Sequence, residues 1–460
     1  MDIIHSKLAQ AVHVFWTENN ILIGVLATTW IFFLWELYLA YRQHRIYSSA
    51  TSLPPELVGV MDPKAFAKAR LYQLDKSTFN FISMTWDQIL STLVLCYMVH
   101  HWLWEASRQA LGIVGVHSPN EITQTSMFIL VGSLLSSLIS LPLSIYSTFV
   151  IEARHGFNKQ TPGFYAVDKL KKFVVTQALM NPILCGVVYI IMVGGDYFFF
   201  YLWLFCVLVM LVLMTVYPDY IAPLFDKFTP LPEGQLKEEI EKMAASISFP
   251  LTKVYIVEGS KRSTHSNAYF YGFYKNKRIV LFDTLLAAPE EKDQSNQEEK
   301  SEEGKPKNLG CTNNEVLAVL GHELGHWKLN HAVKNIIISQ SNLLLVFALF
   351  SLLYQDQVLY RTFGFTRSKP ILIGLCIIIQ HIFEIYNQLL SFLMGVLSRH
   401  FEFEADRFAK NMHKAADLRS ALIKLNEDNL SFPIYDWLYS AWHHSHPPLL
   451  SRLQALGKVE

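Results

Sequence analysis

Long apolar segments recur along this chain, and each is close to the length that a membrane-crossing helix requires. A bilayer core is about 30 Å thick, so a spanning α-helix needs about 20 apolar residues. Trp30, Trp35 and Tyr41 decorate the first segment as interfacial anchors do, so we interpret it as a span and not as a cleaved signal peptide. The pattern predicts seven transmembrane helices, at residues 20–41, 82–104, 124–150, 172–194, 197–217, 334–354 and 371–397.

Lys and Arg are divided unevenly among the connecting segments. One precedes the first span, residues 42–79 contain six, the next connection contains one and residues 151–172 contain five. Basic residues accumulate on the cytosolic side of membrane proteins. The alternation predicts a lumenal N-terminus and places both the 218–333 insert and residues 398–460 on the cytosolic side. The 355–370 link, with three basic residues, fits this orientation least well.

Two of the predicted spans are more polar than isolated helices in lipid tolerate. Glu384, Asn387 and Gln388 lie within the 371–397 span, and a series of serines lies within the 124–150 span. Such side chains must face the protein interior. Two explanations are open, namely interhelical hydrogen bonds between closely packed helices and a water-filled cavity. The serines are Ser133, Ser136, Ser137, Ser140, Ser144 and Ser147.

The 218–333 insert has a different pattern from the spans. Residues 235–249 have the periodicity of an amphipathic helix, and three short β-rich runs follow it. Residues 289–308 contain no large apolar residue, which predicts a solvated and disordered loop. The β-rich runs are residues 253–257, 268–274 and 278–282, with a short hairpin-like connection at 275–277 between the last two.

Composition agrees with a membrane protein and excludes other classes. Hydrophobic residues make up 51% of the 460 residues and charged residues only 17%, whereas soluble proteins contain about 25% charged residues. Lys plus Arg equals Asp plus Glu at 39 each, so there is no basic excess for binding nucleic acid. The five cysteines are an odd number without a CxxC pair, and all but Cys311 lie in apolar runs, which excludes a secreted disulfide scaffold.

One segment of the insert carries a metal-binding motif. Thr312 followed by Glu315 is a capping-box pattern, so a helix is predicted to begin there. His322, Glu323 and His326 then form HExxH. Positions four apart share one helical face, so both imidazoles can bind one Zn²⁺ while Glu323 takes a proton from the activated water. A pair of surface histidines on an amphipathic helix is the alternative interpretation.

A catalytic zinc needs a third protein ligand. His331 does not complete the extended HExxHxxGxxH motif, because Leu329 occupies the glycine position and Ala332 the histidine position. The best candidate is Glu402, which follows the seventh predicted span. Glu384 is the rival candidate.

The surroundings of Glu402 support that choice. Asp406 lies one helical turn further on and is predicted to orient a zinc-bound histidine. Glu404 lies about 200° away around the helix and is expected to face solvent or to pack. The HExxH helix enters the sixth span from the cytosolic side and the seventh span returns there, so both ligand sets meet at one membrane face. Glu384 lies about four turns before the end of the seventh predicted span and fits less well.

The motifs together resemble those of the type I zinc CAAX prenyl proteases, the farnesylated-protein-converting enzymes, along nearly the whole chain. The resemblance implies a mainly α, polytopic membrane protein with seven helices enclosing a hydrated chamber. It also implies a cytosolic zincin-like metalloprotease domain with a small β-sheet. The stretches that carry it are 322–326 (HELGH), 402–406 (EFEAD), 267–272 (NAYFYG), 446–452 (HPPLLSR), 71–77, 149–157 and 219–225.

We therefore predict four parts in the chain. Residues 1–217 form a membrane domain with five spans, and residues 218–333 form a catalytic insert. Residues 334–397 form the sixth and seventh spans, and residues 398–460 form a C-terminal catalytic segment. The resemblance places the protein in the endoplasmic reticulum membrane and the inner nuclear membrane.

The activity that the resemblance implies is removal of the last three residues of prenylated CAAX proteins. Animal relatives make a second, upstream cut in prelamin A. A prenyl chain held by membrane lipid would place the scissile bond near a zinc ion at the cytosolic face. Two other classes stay open: a multispan transporter, which would have no use for HExxH, and a noncatalytic zinc-bearing scaffold or quality-control factor.

The resemblance also implies roles for individual residues. His322, His326 and Glu402 would bind one Zn²⁺ per chain, and Glu323 would be the general base. His446 and Arg452 would lie near the metal, one donating to the oxyanion and the other steadying substrate or a ligand carboxylate, although most surface arginines are merely solvated. An edge strand would pair with extended substrate, unless it is an ordinary packed strand. The strand residues are Asn267, Ala268, Tyr269, Phe270, Tyr271 and Gly272.

Overall fold

The computed structural model describes residues 16–261, 265, 267–272, 276–286 and 310–457. Helices predominate in these residues. The N-terminal helices are α1 (Glu18–Ser49), α2 (Pro63–Cys96), α3 (Val99–Ile113), α4 (Glu121–Tyr146), α5 (Pro162–Val193), α6 (Phe198–Val216) and α7 (Gln235–Ser246). The C-terminal helices are α8 (Asn313–Lys328), α9 (His331–Leu353), α10 (Gln357–Thr362), α11 (Ile371–Ile377), α12 (Glu384–Asn411), α13 (Ala415–Asp428), α14 (Trp437–His443) and α15 (Leu449–Leu456).

The long apolar helices confirm the prediction of a mainly α, polytopic membrane protein. Five helical segments are long and apolar enough to cross a membrane, and two bent helix pairs raise the number to seven if each pair is one span. Each predicted segment falls on one of these elements. The straight candidates are Glu18–Ser49, Glu121–Glu152, Pro162–Val193, Gly195–Leu224 and His331–Leu353.

The second and seventh predicted spans are broken. The axes of α2 and α3 differ by 71°, and the chain turns at Met98, which has a left-handed φ of 51°. A positive φ is uncommon outside glycine, so the turn depends on the surrounding packing. The α11 and α12 axes differ by 64°, after a π-helical turn at Ile378–Ile382. π-Helical turns locally disturb the hydrogen-bond ladder and are a recognised cause of kinks.

Polar side chains in the spans form several interhelical hydrogen bonds. Gln177 Nε2 on α5 donates to Ser133 Oγ on α4 at 2.8 Å. The Tyr165 hydroxyl donates to Ser144 Oγ at 2.7 Å. These contacts match the packing explanation, whereas Ser136 is exposed and makes no such contact among the hydrogen bonds of the described residues.

The insert contains one mixed sheet with strand order β1-β2-β4-β3. Strands β2 and β4 are parallel, and β3 lies at the edge, antiparallel to β4. The predicted runs correspond to β2, β3 and β4, while the three-residue β1 was not predicted. Three parts of these predictions lie outside the described residues, namely residues 273–274 of the second run, residue 275 of the connection and the 289–308 loop. The strands are β1 (Phe228–Pro230), β2 (Leu251–Val257), β3 (Ala268–Tyr271) and β4 (Lys277–Phe282).

Helix α8 lies in the middle of the catalytic unit. Its N-terminus has the predicted capping box, in which Thr312 N donates to Glu315 Oε2 at 2.8 Å and Glu315 N donates to Thr312 Oγ1 at 3.4 Å. Val316 and Leu320 pack with residues of the sheet, and Ala318 packs against Ala409 of α12. Burial on two sides fixes the orientation of α8 and therefore of its histidines.

Candidate metal centre

Two helices that are distant in sequence bring three metal-binding side chains together. His322 and His326 lie one turn apart on α8, and their Nε2 atoms are 3.2 Å apart. Glu402 of α12 places Oε2 3.4 Å from His322 Nε2 and Oε1 3.2 Å from His326 Nε2. All three groups offer ligand atoms within 4.8 Å of one another, so they can hold a metal ion.

The surroundings of Glu402 fit a metal ion. The residue is only 4% exposed. Oε2 accepts no well-directed hydrogen bond from the described residues, although His446 Nδ1 lies 2.8 Å away. A buried carboxylate without such a bond is costly unless a cation neutralises it. Ligand atoms bound to a tetrahedral zinc at about 2.0–2.1 Å lie about 3.3–3.4 Å apart, close to the separations found here.

Asp406 and Arg452 contact Nδ1 of His322, on the opposite edge of the ring from the Nε2 atom that faces the metal position. Asp406 Oδ1 lies 2.8 Å from His322 Nδ1, and the Arg452 guanidinium donates to both Asp406 oxygens at 2.8 and 2.6 Å. Because Asp406 accepts the Nδ1 proton, the Nε2 lone pair of His322 is free to face the metal position. Burial lowers the pKa of His322, but in the metal-free site the nearby carboxylates of Asp406 and Glu402 outweigh it and raise the pKa to about 9, so a metal ion binding at Nε2 would displace a proton.

Glu323 and His446 lie next to the three candidate ligand side chains. Burial raises the pKa of the Glu323 carboxyl above its ordinary value, and the charge of Glu402 raises it further, against the opposing effect of the nearby histidines. The His446 side chain is 67% exposed although its Nδ1 is in contact with Glu402. The raised pKa favours uptake of a proton by Glu323. The exposed ring edge of His446 is accessible to a bound molecule.

The predicted substrate strand corresponds to β3 and has one free edge in the described sheet. Phe282 N donates to Asn267 O at 3.0 Å, which sets the phase of the antiparallel ladder. Hydrogen-bonded pairs alternate along such a ladder, so Tyr269 and Tyr271 bond to β4. Phe270 then directs its backbone N–H and C=O towards the free edge.

The residues in and next to β3 have structural roles. Ala268 and Phe270 contribute side chains to the core, as the packed-strand alternative expects. Asn267 accepts a hydrogen bond from the Ala268 N–H at 2.8 Å. Gly272 has a φ of +114°, and a Cβ there would overlap the carbonyl oxygen of Asn276, so only glycine fits.

Two family models together cover most of the chain. The model described as "CAAX prenyl protease N-terminal, five membrane helices" matches residues 43–227. The model of peptidase family M48 matches residues 230–460. This chain belongs to the CAAX prenyl protease family. M48 peptidases are metalloproteases, so the chain is a metalloprotease. Its two matched regions meet at β1, the first strand of the sheet in chain order.

Relatives and a solved structure of the CAAX prenyl protease family align with the whole fold. The human CAAX prenyl protease 1 homolog is 58% identical over 458 residues, with 96% of each chain covered. CAAX prenyl protease 1 of Saccharomyces cerevisiae is 36% identical, with 93% of each chain covered. The crystal structure of S. mikatae Ste24p matches with a TM-score of 0.84 and 36% identity, covering 95% of this chain and 99% of that one.

Two further acidic residues of this CAAX prenyl protease lie outside the ligand set, and one of them makes a contact that the sequence does not predict. Glu404 is partly exposed, as expected, and its Oε2 also lies 3.0 Å from Nε2 of His331, a contact that helical spacing does not predict. Glu384, the rival ligand, begins α12, about 27 Å of helix away from Glu402. His326 and His331 lie close together in sequence, on either side of a helix end. This short spacing is the sequence feature that could have indicated a role for His331.

Proposed function

We propose that this chain is a zinc-dependent endopeptidase that removes the last three residues of prenylated CAAX proteins. The observation that carries the proposal is the convergence of His322, His326 and Glu402, with Glu323 of the HExxH motif next to His322 on the same helix. Two imidazoles and one carboxylate are the ligand set of zinc peptidases, with a fourth position left for water. The names of the relatives supply the substrate class.

Glu323 carries the proton transfers in this mechanism. A zinc ion held by His322, His326 and Glu402 would polarise the scissile carbonyl and lower the pKa of the attacking water. Glu323 accepts the proton of that water and later delivers it to the leaving amine. Its burial favours the protonated form, which helps it to hold the proton between the two steps.

The remaining polar residues stabilise charge and geometry. We propose that His446, whose ring is exposed beside Glu402, donates to the oxyanion that forms on the substrate. Arg452 acts through Asp406, which it binds with two hydrogen bonds, and so keeps His322 in place. The free edge of β3, where Phe270 directs its backbone groups outwards, pairs with the extended substrate.

The membrane supplies the other part of substrate recognition. We propose that the prenyl chain stays within the membrane region while the CAAX tail extends to the zinc site, so that binding fixes both ends of the substrate. The catalytic insert and residues 398–460 are cytosolic or nucleoplasmic and the N-terminus is lumenal, in the endoplasmic reticulum and inner nuclear membranes. An upstream cut in prelamin A-like proteins would use the same site.

Glu323→Gln tests the mechanism. Purified variant and wild type are compared for zinc content by elemental analysis and for cleavage of a farnesylated CAAX peptide. We expect about one zinc ion per chain in both proteins and a rate about 10²- to 10⁴-fold lower in the variant, since proton transfer is lost. Glu238→Gln, which changes an exposed glutamate on α7, is the matched control and should leave both readouts unchanged.

The result also separates an enzyme from a noncatalytic scaffold. A scaffold that keeps zinc for structure has no need of the Glu323 carboxylate. If the Glu323→Gln variant cleaved the peptide as fast as wild type, the proposed role of this residue would be wrong. If neither protein cleaved it while both bound zinc, the scaffold interpretation would be favoured.

A further inference from the structure

The outer nitrogen of His326 makes a contact that the mechanism above does not use. Nε2 of His326 faces His322 and Glu402, so this nitrogen is the one available to the metal. Nδ1 lies on the opposite edge of the ring, 2.9 Å from Nδ1 of His331. A metal-bound imidazole normally donates its other N–H to an acceptor, which fixes the tautomer and the ring plane.

His331 is held firmly in a position to be that acceptor. It is only 2% exposed. Its Nε2 lies 3.0 Å from Glu404 Oε2. Its ring stacks on Phe401 with centroids 4.1 Å apart and planes inclined by 7°. Contacts on the face and on both nitrogen-bearing edges therefore fix the His331 ring.

The backbone between α8 and α9 brings His331 back towards the site. Helix α8 ends at Lys328, and Asn330 adopts a left-handed conformation with a φ of 56° and a ψ of 31°. Asn is one of the few residues other than Gly that adopt this conformation readily. The turn starts α9 at His331 and folds its side chain against the last turn of α8.

The hydrogen-bond chain has a defined direction. A carboxylate only accepts, so the Nε2–H of His331 donates to Glu404. Nδ1 of His331 then carries the lone pair and accepts the Nδ1–H of His326, which leaves the Nε2 lone pair of His326 for the metal. We infer that His331 and Glu404 are positioning residues that fix the tautomer and orientation of the metal ligand His326.

The inference rests on the proposed metal site, and its test reads metal binding directly. Zn²⁺ dissociation constants are measured by competition with a chromophoric chelator for purified full-length proteins in detergent. Loss of such a supporting partner weakens metal binding by about 10- to 100-fold in other sites. The melting temperature of each metal-free protein reports whether the fold is intact.

Two substitutions of His331 separate a positioning role from a packing role. His331→Phe keeps the ring and its stacking on Phe401 but removes both nitrogens, so we expect Zn²⁺ binding about 10- to 100-fold weaker. His331→Asn loses the ring but places an amide oxygen near the position of Nδ1, so we expect it to recover most of the lost affinity. Wild-type affinity in His331→Phe, or equal losses in both variants, would overturn the inference.

Substitutions of Glu404 decide the question if His331→Phe fails to fold. Glu404→Gln keeps the size but removes the charge, and we expect Zn²⁺ binding about 10-fold weaker. His400→Gln removes the exposed partner that lies 3.6 Å from the same carboxylate, and it should bind like wild type. Equal binding by Glu404→Gln and wild type, or equal losses in both variants, would count against a positioning role for Glu404.

The wild-type measurement keeps the two hypotheses apart. If wild type itself fails to bind Zn²⁺, the proposed metal site is wrong. If wild type binds Zn²⁺ and the variants of His331 and Glu404 bind it equally well, the metal site stands and only the positioning role is lost.

Discussion

His322 and His326 share one helix face, but their Nδ1 atoms contact groups of different charge. Asp406, itself bound by Arg452, is in direct contact with Nδ1 of His322. His326 instead meets an imidazole, that of His331. A carboxylate increases the electron density of a ligand imidazole more than a neutral acceptor does, so the two histidines are not equivalent as metal ligands.

Asp406→Asn is expected to weaken both the metal site and the fold. The amide keeps the shape but loses the charge that binds Nδ1–H of His322 and the guanidinium of Arg452, which is only 12% exposed. Removing one partner of a buried ion pair costs about 3–5 kcal/mol of stability, and losing the support of a ligand costs about 10- to 100-fold in zinc affinity. Thermal unfolding in detergent and chelator competition measure the two effects.

The control for Asp406→Asn is Asp417→Asn. Asp417 pairs with Lys414 at 3.5 Å and is 34% exposed, so its loss should cost less than about 1 kcal/mol. An Asp406→Asn protein with the stability and zinc affinity of this control would show that Asp406 does not support His322.

The residues of the site differ in how far sequence could predict them. His322, Glu323 and His326 follow from helical spacing alone, and Glu402 follows from its place after the last span. The contact between His331 and Glu404 could not be predicted in the same way. It depends on the left-handed turn at Asn330 and on the rotation of α12 against α9, which are set by tertiary packing.

At the scale of elements, pairing with the edge strand β3 would require particular backbone N–H groups of the substrate, and this requirement can be tested. An extended peptide that pairs with β3 turns alternate N–H groups towards it. Methylation of single backbone nitrogens in a farnesylated CAAX peptide should therefore raise KM at every second position upstream of the scissile bond. Steady-state kinetics on the series of methylated peptides measures the effect.

The alternate positions of the same peptide series are the control. Their N–H groups point away from β3, so methylation there should change KM little. A uniform rise along the peptide, or no rise at any position, would contradict pairing of the substrate with β3.

The sequence pattern predicted which segments form helices better than it predicted bends within helices or very short strands. The capping box fixed the start of α8, and the apolar segments located the spans. The 71° bend at Met98 has no proline or glycine to announce it, and the three residues of β1 are too few to show a period of two. Both features depend on neighbours that are distant in sequence.

At the scale of the whole molecule, contacts at the two ends of the spans agree with the predicted sidedness. Trp16, before α1, donates to Asp356 in the link after α9 at 2.8 Å. Arg42, near the other end of α1, pairs with Asp436 at 2.8 Å in the C-terminal segment. The N-terminal end of α1 and the 354–370 link therefore lie on one face, and the C-terminal end of α1 lies with the catalytic segments on the other.

Cysteine labelling in sealed microsomes from the endoplasmic reticulum tests which face is cytosolic. In a chain with the exposed Cys96 replaced by Ser, Lys253→Cys on β2 should react with a membrane-impermeant maleimide without permeabilisation. Ser368→Cys, exposed in the link before α11, should react only after detergent is added.

Detergent-treated samples of both cysteine variants are the control for reactivity. The reverse pattern, with Ser368→Cys labelled in sealed vesicles and Lys253→Cys protected, would contradict the proposed orientation. That result would not contradict the proposed metal site, because the candidate ligand side chains lie on the same membrane face in either orientation.

The order of the ligands along the chain has a consequence for biosynthesis. The HExxH helix α8 leaves the ribosome before α9 and α11, and Glu402 emerges only after both have been made. A nascent chain halted after α9 carries two imidazoles without their carboxylate partner. The proposed ligand set is therefore complete only when the last pair of membrane helices has been made.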